Sequence, residues 1–229
     1  LDLGRVAFFG DSWVAGCEAN ELDGSDAPEF AFPSYFPGSL NLGYSGGSND
    51  YFAHQLVENL LNIETAVFCL TDPSRRYWID NNGNYINGSN GIQKLPGYID
   101  KCLLSLSNNV NDDLLTSQLC LLLYSICKIN NIKAYFINMF GGQHCESKFW
   151  DLIPESAWLL PKDKCIVQQC FDQKNWFVEF PHVGDFTYWL ETNNSDVQKF
   201  IRPCIAHPNK LGHKVISEFI MGKIKEHRE

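Results

Sequence analysis

The sequence predicts a parallel α/β fold, with helices on both faces of one sheet. Three observations carry this. Four short apolar runs, "RVAFF" (5–9), "SLNLGY" (39–44), "TAVFCL" (65–70) and "IKAYFINM" (132–139), read as buried strands. Stretches of helical periodicity lie between and after them. The first strand runs at once into a Gly-containing turn, "GDSW", the usual entry to an α/β unit.

The elements follow in order. Residues 17–36 hold Gly, Pro and acidic residues and read as a loop that covers a site. After the second strand, "GGSND" (46–50) opens a helix, with Ser48 or Asn49 as its cap and Asp50 in its first turn. Phe52, Leu56, Val57, Leu60 and Leu61 form its apolar face. "TAVFCL" is apolar throughout, as suits a central parallel strand. Residues 80–98 are rich in Asn and Gly and read as an exposed loop. Residues 111–131 are the clearest helix, with Leu115, Leu119, Leu122, Leu123, Ile126 and Ile129 at helical spacing.

Residues 141–203 hold four of the six tryptophans and little periodicity. They are expected to form an irregular insertion that walls a pocket, with short elements at 165–169 and 185–190. A helix over 209–225 closes the chain and presents Leu211, Val215, Ile216, Phe219, Ile220 and Ile224. The chain has 229 residues and no repeat or linker, so one domain over 1–229 is expected.

Composition narrows the function classes. Hydrophobic residues make up 45%, an ordinary globular value. The net charge is −9, and Lys/Arg cluster only in the tail "GKIKEHR", so a nucleic-acid partner is not expected. Nine cysteines lie scattered without CxxC spacing. They predict neither a disulfide framework nor a metal site, but buried thiols in a reducing compartment. No signal peptide is visible and no run is long enough to span a membrane. No cofactor motif is present.

The chemistry concentrates at two places. "FFGDSWVAG" (8–16) sets Ser12 at a tight turn after a strand, with its hydroxyl exposed and its N–H at a helix start, where negative charge is stabilised. Asp11 is expected to cap or brace that turn. "CIAHPNKLGH" (204–213) carries two histidines at a loop-to-helix junction. Ligands of parallel sheets bind beyond the carboxyl ends of the strands, and Gly10–Ser12, Gly46–Asn49 and Thr71–Arg75 all leave strands there.

These blocks resemble the SGNH hydrolases, also called the GDSL family: "GDSW" their first block, "NLGYSGGSN" their second and "HPNKLGH" their last, in the right order from residue 8 to 216. The combination with "TDPSRR" looks most like members from tailed bacteriophages, which implies a virus-associated setting as the alternative to a cytoplasmic one. The resemblance implies a three-layer α/β/α sandwich with a flavodoxin-like parallel sheet. It implies Ser12 as nucleophile, His207 as base, and the Ser12 and Gly46 N–H groups as oxyanion donors. His213 is then helix scaffolding.

Two departures stand out. The family's third block supplies an asparagine to the oxyanion hole, whereas this chain has "LTDPSRR" there. Thr71, Ser74 or Asn49 is open as the replacement donor. The family also places an aspartate three residues before the histidine, to fix its tautomer. Here that residue is Cys204, and a neutral thiol is a poor acceptor. A backbone carbonyl, a distant carboxylate (Asp185, Glu191 or Asp196) or an impaired site are the alternatives. Arg75, Arg76 and Trp13 are candidates for substrate contact. The implied activity is hydrolysis of short-chain acyl esters, including O-acetyl groups on carbohydrate, with the ester as the expected partner. The rival is a binding or structural module that kept the fold and lost catalysis.

Overall fold

The computed structural model describes residues 4–17, 19, 26–71, 73, 76–79, 85–88, 109–140, 146–171, 201–202 and 207–228. Four parallel strands form the central sheet: β1 (Val6–Gly10), β2 (Leu40–Gly43), β3 (Thr65–Leu70) and β6 (Lys133–Asn138), in the order β2-β1-β3-β6. Among the described strands this is the start of the flavodoxin-like order, which reverses direction at β1.

Strict alternation along each strand feeds two cores. Val6, Phe8, Val67, Cys69, Tyr135 and Ile137 face one side, where helix α5 (Lys210–Glu226) lays down Ile216, Ile220 and Ile224. Ala7, Phe9, Ala66, Phe68, Ala134 and Phe136 face the other, covered by α2 (Tyr51–Asn59) and α3 (Asn109–Ile129). The result is the expected α/β/α sandwich.

Register is marked by a row of rings. Phe9 sits opposite Phe68 and Phe68 opposite Phe136, with centroids 4.8 and 5.1 Å apart. Each such pair contributes about 0.5–1.5 kcal/mol beyond its buried area. A slip of one residue would turn all three rings to the other face.

Several expectations change. Asp50, not Ser48 or Asn49, is the N-cap residue of α2, and it makes no capping bond with its side chain. On α2 only Phe52 and Leu56 are buried; Leu61, just beyond, is 91% exposed. On α3 the buried line runs through Cys120, Leu123 and Cys127, while Leu115, Leu122 and Ile129 face out. Thiols act there as small core groups, which leucine counting misses. Burial pushes the Cys127 thiol up to about 12, and those of Cys69 and Cys120 well above their ordinary value.

The Asn/Gly-rich region contains an antiparallel hairpin, β4 (Arg76–Ile79) with β5 (Tyr85–Gly88). The stretch after residue 25 folds into 3-10 turns at Pro28–Phe30 and Phe32–Tyr35, and buries Phe32 and Phe36 in the core instead of forming an open cover. The described start of the 141–203 region is likewise core. The Asp113 carboxylate accepts from Trp150 Nε1 at 2.7 Å and Ser147 N at 2.8 Å, and Trp150 and Trp158 extend the ring row behind Phe136. A short helix, α4 (Ile166–Phe171), meets the element expected at 165–169. The one expected at 185–190 lies outside the described residues. Among the described residues no helix is long and apolar enough to cross a membrane.

Candidate active site

β1 ends at Gly10, and the chain turns through Asp11 into a single helical turn, α1 (Ser12–Ala15). Asp11 caps it: Oδ1 accepts the Trp13 N–H at 3.0 Å. That cap fixes Ser12 as the first helical residue, 7% exposed. Its Oγ lies 2.8 Å from Nε2 of His207, across 195 residues of sequence.

His207 is held from both sides. It lies in β8 (His207–Pro208), whose partner is β7 (Ile201–Arg202), with Arg202 opposite His207. Next comes Asn209, whose Oδ1 accepts the Gly212 N–H at 2.9 Å and starts α5. Each member of the pair therefore sits within two residues of a side-chain helix cap, which restricts its backbone. For the Ser12 hydroxyl to donate to Nε2, the imidazole must carry its proton on Nδ1.

Two backbone donors near the carboxyl ends of β1 and β2 are free: the N–H groups of Ser12 and Gly46 have no acceptor among the described residues. Gly46 adopts φ +71°, and a Cβ there would meet nothing within 4 Å. This exposed turn therefore leaves its backbone open to approach.

Asn49 and Thr71 behave differently from expectation. The Asn49 amide grips the Thr71 backbone, Nδ2 donating to the carbonyl at 3.1 Å and Oδ1 accepting the N–H at 2.9 Å. The Thr71 hydroxyl donates to Asp11 Oδ2 at 2.8 Å. Both donors of Thr71 are thus engaged, and it has none to spare for a ligand. Asn49 keeps one Nδ2 hydrogen with no acceptor among the described residues. No sequence pattern announced this tie. Its nearest signal was a polar residue directly after β1 (Asp11) and β3 (Thr71), with Asn49 six residues beyond β2.

Trp13 is corrected as a substrate contact. It is 2% exposed and packs edge-on against Phe140 at 4.9 Å, so it belongs to the core. The Arg76 backbone lies in β4, while Ser74, Arg75, Cys204, Asp185, Glu191 and Asp196 lie outside the described residues. His213 is fully buried, and its Nδ1 accepts the Phe32 N–H at 3.2 Å. Burial first, and then the neighbouring His207, hold its pKa down to about 3, so it is neutral.

Ser12 and His207 thus meet just beyond the carboxyl end of β1, at the carboxyl edge of the parallel sheet. No protein-family model matches this chain, and no curated protein does. Solved structures align over nearly all of it. The psychrotrophic esterase EstA from Pseudoalteromonas sp. is 11% identical, covering 97% of each chain at a TM-score of 0.44. A variant of Axe2, an acetyl-xylooligosaccharide esterase from Geobacillus Stearmophilus, is 14% identical, covering 98% of this chain and 96% of that one at 0.45. A two-domain esterase active on acetylated mannans is 11% identical at a TM-score of 0.46; the match covers 97% of this chain and 48% of that one.

Proposed function

We propose that this chain is a serine esterase of the SGNH type acting on short acyl esters. The observation that carries the reading is the 2.8 Å contact between Ser12 Oγ and His207 Nε2. Nε2 takes the hydroxyl proton as Oγ bonds to the ester carbonyl carbon. The carbonyl electron pair moves to oxygen, where the Ser12 and Gly46 N–H groups, and the remaining Asn49 hydrogen, hold it. Collapse breaks the bond to the alcohol oxygen, which leaves with the proton from His207. Water then attacks the acyl-serine by the same route in reverse.

An alcohol portion with a flat apolar face, such as an O-acetylated sugar, suits the rim. Tyr44, 46% exposed, stands two residues before Gly46, and its N–H is bonded to the Gly10 carbonyl at 3.0 Å. The unpaired thiols of Cys69, Cys120 and Cys127 support a reducing compartment. The rival, a module for binding or structure with the chemistry lost, is favoured by two features, "LTDPSRR" without the third-block asparagine and Cys204 in place of the aspartate.

The test is hydrolysis of p-nitrophenyl acetate together with labelling by a fluorophosphonate. Wild type should do both and Ser12→Ala neither. Equal turnover in the two proteins would sink the esterase reading.

A further inference from the structure

His213 is polar, fully buried and absent from the chemistry above. Its Nδ1 accepts the Phe32 amide, so its proton sits on Nε2. That nitrogen is buried with no hydrogen-bond partner among the described residues. An orphaned buried N–H costs about 1–3 kcal/mol. A leucine here would remove this one but orphan the buried Phe32 N–H instead, so what the imidazole supplies at this place is its acceptor nitrogen.

The placement suggests what this acceptor does. Along α5, Lys210 and Leu211 are exposed and Gly212 has no side chain. His213 is thus the first large side chain of α5 to enter the core, ahead of Ile216. It joins the start of the helix to Phe32, at 3.2 Å and across 181 residues, and its ring lies over the Phe32 ring with centroids 6.1 Å apart. Phe32 in turn packs edge-on against Phe8 of β1, at 5.6 Å. Ser12 follows β1 and His207 precedes α5. The His213–Phe32 bond therefore closes a mechanical loop between the two halves of the Ser12–His207 pair.

We propose that His213 is a positioning residue: its bond to the Phe32 amide fixes the start of α5 against β1 and thereby sets His207 against Ser12. The proposal rests on the reading of Ser12 and His207 as the reacting pair. An apolar side chain of similar size would fill the space without fixing direction. A charged one would oppose the imidazolium that forms on His207; burial keeps His213 neutral and avoids this.

Two amide replacements separate positioning from mere filling. Asn offers an oxygen where His carries Nδ1, and Gln offers one near Nε2. His213→Asn should keep kcat within about threefold of wild type, while His213→Gln should lose about tenfold or more with KM unchanged. Folding is checked by circular dichroism and a cooperative melt. If His213→Gln does not fold, His213→Phe takes its place on the same terms. Equal kcat in Asn and Gln variants, whether both intact or both impaired, overturns the proposal. A second readout needs no turnover: the imidazole signals of His207, followed by NMR through a pH titration, should shift in His213→Gln and match wild type in His213→Asn. If wild type lacks Ser12-dependent turnover, the esterase reading fails, and this titration alone decides. An unchanged His207 titration in His213→Gln then overturns the positioning role.

Discussion

Asn49 reaches over the end of β1 to hold Thr71. It follows β2, Thr71 follows β3, and β1 lies between those strands in the sheet. The two bonds hold the Thr71 backbone one residue past the end of β3 and three past Phe68, the last β3 residue paired with β1. Thr71 then sends its hydroxyl back to Asp11, the residue before Ser12. The ends of three strands are tied together around the serine, and the tie uses side chains because the ladder has run out.

Thr71→Val keeps the shape and removes the hydroxyl. Asp11 Oδ2, fully buried, then loses this donor, and about 1–3 kcal/mol of stability should go with it. Ester turnover should fall as well, because Asp11 caps the turn that presents Ser12. Thr71→Ser should restore most of both. Urea denaturation and kcat for the two variants make the check; a valine variant as stable and active as wild type would show that the tie is idle.

Two adjacent glycines make a sharper pair. At Gly46 an added methyl meets nothing within 4 Å but must adopt φ +71°, a strain of about 1–2 kcal/mol. At buried Gly47 it would stand 2.8 Å from the Tyr44 carbonyl oxygen and 3.2 Å from that of Gly10. Both contacts are backbone, which yields little. Gly47→Ala should lower the melting temperature more than Gly46→Ala. Gly46→Ala should stay folded and lose turnover, its methyl standing where an ester must approach the N–H. Near-normal turnover in folded Gly46→Ala would remove Gly46 from the oxyanion hole.

Tyr44 tests the alcohol side of the substrate. Stacking on an exposed ring contributes to binding a sugar and nothing to a small alkyl acetate, which has no ring to stack. Tyr44→Ala should raise KM for an acetylated oligosaccharide about tenfold and leave ethyl acetate kinetics unchanged, since about 1.4 kcal/mol corresponds to tenfold. Parallel changes for both substrates would place Tyr44 in general support of the turn instead.

The sheet was legible because alternation and apolar runs are properties of single segments. "TAVFCL" coincides with β3 to the residue, and α5 lies one residue from its expected bounds. Ser12 and His207 were legible as blocks, since each announces itself by a local turn or cap. The tie through Asn49, Thr71 and Asp11 was not. Its bonds span up to 60 residues, and a capping asparagine and a clamping one look alike in sequence. The outward faces of α2 and α3 failed for a related reason. Leucine spacing locates a stripe, but the strands behind it decide which neighbouring stripe is buried.

Acid stability reports directly on His213. Its ordinary pKa is 6.5 and burial lowers it to about 3 in the folded chain. Between these values the unfolded chain binds a proton that the folded chain refuses. Stability contributed by the neutral imidazole is therefore complete above pH 6.5 and is lost progressively as the pH falls toward 3. At pH 4.5 the loss should be on the order of 2–3 kcal/mol, from about 1.4 kcal/mol per pH unit. His213→Asn has no such proton to exclude. It should be somewhat less stable than wild type at pH 7 and should close or reverse that gap at pH 4.5. Urea midpoints of both proteins at the two pH values measure it. A gap that stays constant from pH 7 to pH 4.5 would mean that His213 accepts a proton in the folded chain as readily as in the unfolded one.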